Sequence, residues 1–515
     1  MNDIKYIVYL MLENRSLDNV LGWLYTNANG DKPSHFIPPP NPKNPIELNY
    51  NGLATGSYYN PDGNGNMIPV TQISVNDGQG IPSVDPNEDF KNTQEQIANN
   101  MTGFYTNFLK APTPSQNPAE IMASYTPASL PVLNSLAKSF AVSDAYFCSV
   151  PSNTNANRAF SLTGNSIGDD TDIGPNTAMV NTPDRLYPFT FNGPTIWDVL
   201  NSKGYSDPSK WMIYYSQLWF SPKYCYTQDM FWASLQNSQN IANYQTLLQG
   251  LDGAGPTGWV LPEFSYIEPL WCTEPIGSTN GNDYHPPANL GCGEHFLYEL
   301  YTALQASPYW ENTLLIINFD EHGGTYDHVE PPTNVKAPWF DTKQGTSAPD
   351  NYEVPFDFQS LGVRVPLILI SPLIEEKTVI RSDTGTPFDH TSVIATILNH
   401  FRITKDEWGL GSRVANAPTF ENVITLPVNK ARTNVTISSP LTEGCTTGAA
   451  ATAVPANGLQ FHITQRALAH EAKKKNIPQE QLNAIYESNF KDVITIKDLN
   501  DATTKALEAL DRINR

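Results

Sequence analysis

Three short runs dominated by apolar residues each stop abruptly at polar ones. Ile4–Leu12 (IKYIVYLML) ends at Glu13-Asn14, Leu314–Phe319 (LLIINF) at Asp320-Glu321, and Val365–Ile370 (VPLILI) at Ser371-Pro372. Runs this short, rich in β-branched residues and lacking polar alternation, read as strands covered on both faces. They alternate with helix-like stretches such as Gly293–Gln305 and Ser392–Phe401. That alternation predicts an α/β domain with a largely parallel central sheet. In open α/β sheets, ligands bind beyond the carboxyl ends of the strands. The polar residues that close each run are therefore the expected place for chemistry.

The rest of the chain is organised around those strands. Its 515 residues are enough for a large core. With 32 Gly, 42 Pro and only 16% charged residues, it reads as loop-rich rather than as a helical bundle. From about residue 26 to 90 the sequence is full of Asn, Pro and Gly (HFIPPPNPKNP, YYNPDGNGN), as expected of a long surface excursion. A catalytic domain over 1–439 is expected, then a turn-rich linker over 440–458 and a helical segment over 459–515. Helices are predicted there at Gln460–Lys475, Gln479–Phe490 and Leu499–Ile513, with Asp498 as N-cap.

Charge and composition exclude several functions. Lys and Arg number 31 against 52 Asp and Glu, a formal net charge of −21. Such a surface repels polyanions, so nucleic acid is not an expected partner and anionic membranes are disfavoured. A zwitterionic membrane or a small phosphoester is compatible with it. The five cysteines (148, 225, 272, 292 and 445) form no CxxC pair, which argues against a thiolate zinc site and leaves room for one or two disulfides. No apolar run is long enough to span a bilayer. The apolar start lacks a small-residue cleavage site and runs directly into Glu13, so any export is expected to use another route or a leader already absent from this chain, and a cytoplasmic location stays open.

Four constellations carry chemistry. Glu13-Asn14 offers two hard oxygen ligands just past a strand, although a polar turn with Ser16 or Asp18 capping a helix reads equally well. Asp320-Glu321-His322-Gly323-Gly324-Thr325-Tyr326-Asp327-His328 packs carboxylates and imidazoles after a wholly apolar run, a density that calls for a compensating cation or fixed donors. In Val150-Pro151-Ser152-Asn153-Thr154-Asn155-Ala156-Asn157-Arg158, hydroxyls crowd the start of a helix, where a phosphate is favoured and where an ordinary N-cap is also common. Asp283 and His285, and Asp389 and His390, place a carboxylate near an imidazole that it can orient.

Together these stretches resemble the bacterial phospholipase C and acid phosphatase family, also called the non-specific phospholipase C family, which has the alkaline-phosphatase-like fold. The resemblance rests on ENRSLDNVLG at 13–22, FAVSDAYFCSVPSNTNANR at 140–158, NDYHPP at 282–287, DEHGGTYDHVEPP at 320–332, GVRVPLILISP at 362–372 and FDHTSVIATI at 388–397. It implies a three-layer sandwich and a divalent metal held by Glu13, Asn14, Asp320, Glu321 and the nucleophile Thr154. It also implies His285, His322 and Asn157 near the phosphate, with Arg158 and Asp283 on the substrate and Asp327, His328, Asp389 and His390 in support. Zinc is the expected ion; an all-oxygen ligand set equally admits calcium or magnesium. Ala156 stands where the family usually has Pro, and Asn19 where a His is common. The implied activity is cleavage of phosphatidylcholine-type lipids, with phosphomonoester hydrolysis or a non-catalytic scaffold as alternatives. The aromatics Trp211, Tyr214, Tyr215, Trp219 and Phe220 are candidates either for a choline cage or for core packing. Family members mostly act outside the cell.

Overall fold

The computed structural model describes the chain except residues 28–29, 41–47, 171–173, 179–189, 272–280, 340–355, 443–453 and 514–515. Nine strands form the main sheet: β1 (Tyr6–Leu12), β2 (His35–Ile37), β3 (Ala141–Ser143), β4 (Trp211–Tyr215), β5 (Ile241–Asn243), β6 (Phe264–Ile267), β7 (Thr313–Phe319), β8 (Leu367–Ile370) and β9 (Thr378–Ile380). Their order is β5-β4-β6-β1-β7-β8-β3-β9-β2. The central strands β1 and β7 are buried almost end to end, which accounts for their unbroken apolar sequence. Leu12 pairs with Phe319 in parallel register, so Glu13 and Asp320 leave the sheet side by side.

The third apolar run behaves differently from the other two. Strand β8 pairs antiparallel with both β7 and β3, while all other pairings in the sheet are parallel. Ser371-Pro372 therefore emerges at the opposite end from Glu13 and Asp320. The residue delivered to the functional edge is the one that precedes the strand region, Arg364. An apolar run fixes the burial of a strand but not its direction.

Helix α1 (Pro131–Ser139) packs with α3 (Leu290–Ala306), and α2 (Thr154–Thr163) packs with α4 (His390–His400). Ser16 caps the single-turn helix Leu17–Leu21 by accepting from Asn19 N–H at 3.1 Å. The capping and the ligand readings of this stretch thus apply to different residues of it.

At the C-terminus, α5 (Gly458–Lys474), α6 (Gln479–Phe490) and α7 (Ile496–Ile513) follow the expected pattern. Helix α7 begins at Ile496 rather than the expected Leu499, and Thr495 rather than Asp498 caps it; Asp498 instead closes a capping box by accepting from Thr495 N–H at 2.9 Å. The three helices share a small core of their own, but Leu459, Ile463 and Ala467 of α5 belong to the main core. Ion pairing between Arg466 and Asp229 and a 2.6 Å hydrogen bond from Ser221 to Glu471 fasten α5 to the body. Much of the linker lies outside the described residues. The described helices contain no segment long and apolar enough to cross a membrane.

Candidate active site

Glu13 and Asn14 continue from β1, and Asp320 and Glu321 from β7. Asn14 N–H donates to Asp320 Oδ1 at 3.0 Å, and Glu321 N–H donates to the same oxygen at 2.7 Å. Asn14 has a left-handed φ of 55°, and Gly323 one of 57°. A Cβ at Gly323 would collide with the Asn14 carbonyl, so only glycine lets the two strand ends approach this closely.

Thr154 is the first residue of α2, and its Oγ1 donates to Glu13 Oε2 at 3.1 Å and Asn14 Oδ1 at 3.4 Å. The N-cap is Asn153, so the Thr154 hydroxyl is not consumed in capping. One turn on, Arg158 donates through Nε to Glu13 Oε1 at 2.6 Å, through Nη1 to Tyr266 OH at 3.0 Å and through Nη2 to the Met11 carbonyl at 3.0 Å. Its guanidinium lies 4.7 Å from the Trp271 ring.

Arg158 and Asn157, expected on the substrate, are engaged elsewhere. Arg158 neutralises Glu13. Asn157 accepts from Val150 N–H at 3.0 Å and donates to the Val150 and Ser152 carbonyls, knitting together the loop that delivers Thr154. Asp283 does face the site: its backbone carbonyl accepts from Glu13 N–H at 2.8 Å, and its Oδ2 is buried without a protein partner.

The carboxyls neighbour one another in pairs. Glu13 meets Asp320, and Glu321 meets Glu88. Burial pushes Glu13, Glu88, Asp320 and Glu321 above their ordinary range; the Asp320 charge raises Glu321 further, and Glu321 does the same to Glu88. Burial carries Asp85 and Asp283 to about 7. Asp320 Oδ2 and Glu321 Oε1 are buried with no hydrogen-bond partner, Arg158 Nε lying 3.9 Å from the former. Buried neighbouring carboxyls with oxygens that lack hydrogen bonds are costly, and a divalent cation shared by Glu13, Asn14, Asp320 and Glu321 would offset them.

The two histidines flank this cluster. His322 Nε2 lies 2.7 Å from Gln96 Oε1, and the Gln96 amide nitrogen is fixed by the Asn87 carbonyl and Asn107 Oδ1, so Nε2 carries the proton and Nδ1 is bare. His285 Nδ1 lies 2.6 Å from the Pro286 carbonyl, which leaves Nε2 bare. Burial pulls both imidazoles down to about 3.

The supporting residues occupy two further networks. Arg364 donates to Asp327 Oδ1 at 2.9 Å and to Asp18 Oδ1 at 3.1 Å, and His328 Nδ1 sits 2.6 Å from Asp18 Oδ2. Arg364 thus balances this acidic group from within. His390 Nε2 contacts the Asp320 carbonyl at 2.6 Å, and Asp389 accepts from Ser149 Oγ at 3.1 Å, tying α4 to both the cation ligands and the Thr154 loop.

Several site residues escape sequence reasoning. Asp85 and Glu88 close the 26–90 stretch and reach His285; a carboxylate pair amid Asn, Pro and Gly carries no signal of burial. Gln96 and Arg364 likewise look like ordinary surface residues in sequence. From α5, Gly458 N–H donates to Asp85 Oδ2 at 2.8 Å and His462 Nε2 lies 3.4 Å from Asn155, beside Thr154. The aromatic group around Trp211 belongs to the core, with only Trp219 partly exposed.

Residues 4–404 match the model of the Phosphoesterase family. The chain belongs to that family. Among curated relatives of this phosphoesterase, non-specific phospholipase C4 of Arabidopsis thaliana is 30% identical, over 85% of this chain and 75% of the relative. Phospholipase C B of Mycobacterium tuberculosis is 27% identical over 78% and 74%. Hemolytic phospholipase C of Pseudomonas aeruginosa is 27% identical over 56% of this chain and 40% of its own length. An alkaline phosphatase superfamily protein from Vibrio parahaemolyticus aligns with a TM-score of 0.29 at 12% identity, covering 67% and 81%, too loosely to carry an argument. Family membership makes the phosphoesterase a phosphoric ester hydrolase.

Proposed function

We propose that this phosphoesterase is a cation-dependent phospholipase C that splits phosphatidylcholine-type lipids into diacylglycerol and phosphocholine through a covalent adduct on Thr154. The observation that carries the reading is the Thr154 hydroxyl, held at a helix N-terminus and hydrogen-bonded to a buried carboxylate among cation ligands. The relatives named as phospholipases C favour a diester substrate.

A divalent ion on Glu13, Asn14, Asp320 and Glu321 would supply Lewis-acid activation of the nucleophile and offset charge building on phosphorus. The protein's own groups do the rest. The N–H groups of the first turn of α2, which the Asn153 side chain does not cap, orient a phosphoryl oxygen. Glu13 Oε2 takes the Thr154 proton as Oγ1 attacks phosphorus and the bond to the glycerol oxygen breaks. Arg158 keeps Glu13 from drifting toward its neighbours. The proton that the departing alcohol needs is the one Glu13 took from Thr154, and His322, whose Nδ1 has no hydrogen-bond partner and stands 3.2 Å from Glu321 Oε2, is placed to relay it to the glycerol oxygen. Water then hydrolyses the adduct.

The test runs p-nitrophenyl phosphate, p-nitrophenyl phosphorylcholine and phosphatidylcholine vesicles side by side with zinc. Turnover of the diester and the vesicles, abolished in Thr154→Ala, is expected. Turnover of the monoester alone would replace this reading with a phosphomonoesterase.

A further inference from the structure

We propose that Asp85, Glu88 and His285 form a second cation site beside the Glu13–Glu321 set, suited to an ion of zinc type. The inference rests on the reading that a first cation binds that set. One ligand atom from each of the three residues lies within 4.8 Å of the others. Ligands of a tetrahedral zinc at about 2.0–2.1 Å are roughly 3.3 Å apart, so only modest side-chain closure is needed.

The independent observation is His285. Its side chain is fully buried, and its Nε2 has no hydrogen-bond partner. That nitrogen lies 3.8 Å from Glu88 Oε2, which also accepts from the Asn14 side-chain amide, while Nδ1 is occupied by the Pro286 carbonyl at 2.6 Å and lies 3.7 Å from Asp85 Oδ1. Metal-bound histidines are held this way, with the other ring nitrogen donating to a carbonyl or carboxylate. Asp85 is prepared similarly. Its Oδ2 accepts from Gly458 N–H at 2.8 Å, and its Oδ1 is bare. A ligand of the catalytic cleft is thereby oriented by the first turn of α5, beyond the stretch that matches the family.

Electrostatics supplies the reason for such an ion. A phosphodiester entering between Glu88, Asp85, Asp283 and Glu321 would meet carboxylates, and no Lys or Arg forms a hydrogen bond or ion pair with Asp85 or Glu88 among the described residues. The Asp18–Asp327–His328 group differs, because Arg364 already balances it.

The full chain loaded with zinc chloride, then desalted, should retain two zinc ions by plasma emission. Glu88→Gln and His285→Gln should each retain one, as should Glu321→Gln, which removes the other site. A zinc-soaked crystal of the unsubstituted chain should show an anomalous peak between Asp85, Glu88 and His285, which requires no variant to fold. One zinc in the wild type, unchanged in Glu88→Gln and with no such peak, overturns the second site and leaves the first. No retained zinc and no peak at either set overturns both readings.

Discussion

Replacing Arg158 with Met should expose how much charge this phosphoesterase concentrates around Glu13. Arg158 is 2% exposed and Glu13 is fully buried. Removing one partner of a buried pair leaves the other without compensation, at a cost of about 3–5 kcal/mol. The lost hydrogen bonds to the Met11 carbonyl and Tyr266 hydroxyl each contribute about 1 kcal/mol within that range. Burial already favours protonation of Glu13, so the abandoned carboxylate escapes part of the penalty by taking up a proton. Doing so becomes harder by about 1.4 kcal/mol for each pH unit above its pKa. The loss should therefore be largest at pH 8 and smaller at pH 6. Urea unfolding followed by tryptophan fluorescence, in chelator and then with zinc, measures it. Zinc should restore part of the loss, and Glu13→Gln combined with Arg158→Met should lose less than the two single changes summed. A loss under about 1 kcal/mol at pH 8 in chelator would refute the argument that Arg158 holds a buried, charged Glu13.

Thr154→Ala should reduce diester turnover by about 10⁴-fold or more while leaving the melting temperature nearly unchanged, and Thr154→Ser should keep measurable activity. Metal-free protein should lose stability as pH rises from 4 to 7: Asp85 and Asp283 titrate near 7 when folded but near 3.8 as ordinary carboxyls, so the folded state binds more protons in that window. Melting curves in chelator at pH 5 and pH 8 check this; zinc should flatten the difference, and a higher melting temperature at pH 8 in chelator would count against it. Burial raises the Asp18 carboxyl, but His328 and Arg364 outweigh it and leave the group below its ordinary value. That contribution is fully present above about pH 4 and fades as pH falls through the lowered value, so Asp18→Asn should flatten the acid limb of the stability curve. Gln96→Leu should lower kcat more than it raises KM, because the His322 tautomer then loses its fixed partner.

The strands that build the site were legible because burial on both faces leaves an unbroken apolar run, as in β1 and β7. Glu13-Asn14 and Asp320-Glu321 could be paired in advance because both follow such runs, and the register between Leu12 and Phe319 explains why they meet. The direction of β8 was not legible, since an apolar strand has no polarity in its composition; Arg364 was missed with it. Asp85 and Glu88 were hidden because burial of a carboxylate depends on distant groups, here His285 and the first turn of α5, and nothing local marks it. The aromatics near Trp211 admitted two roles in sequence, a choline cage or the more usual core packing, and the structure places them in the core.

The central claim is that Thr154 carries the phosphoryl group. Acid-quenching the phosphoesterase within its first turnover of a phosphorylcholine diester, then mapping peptides by mass spectrometry, tests it directly. The account predicts a phosphocholine adduct on Thr154 in the peptide that starts α2, absent from Thr154→Ala. An adduct on another residue, or full turnover with Thr154 unmodified at every quench time, would contradict it.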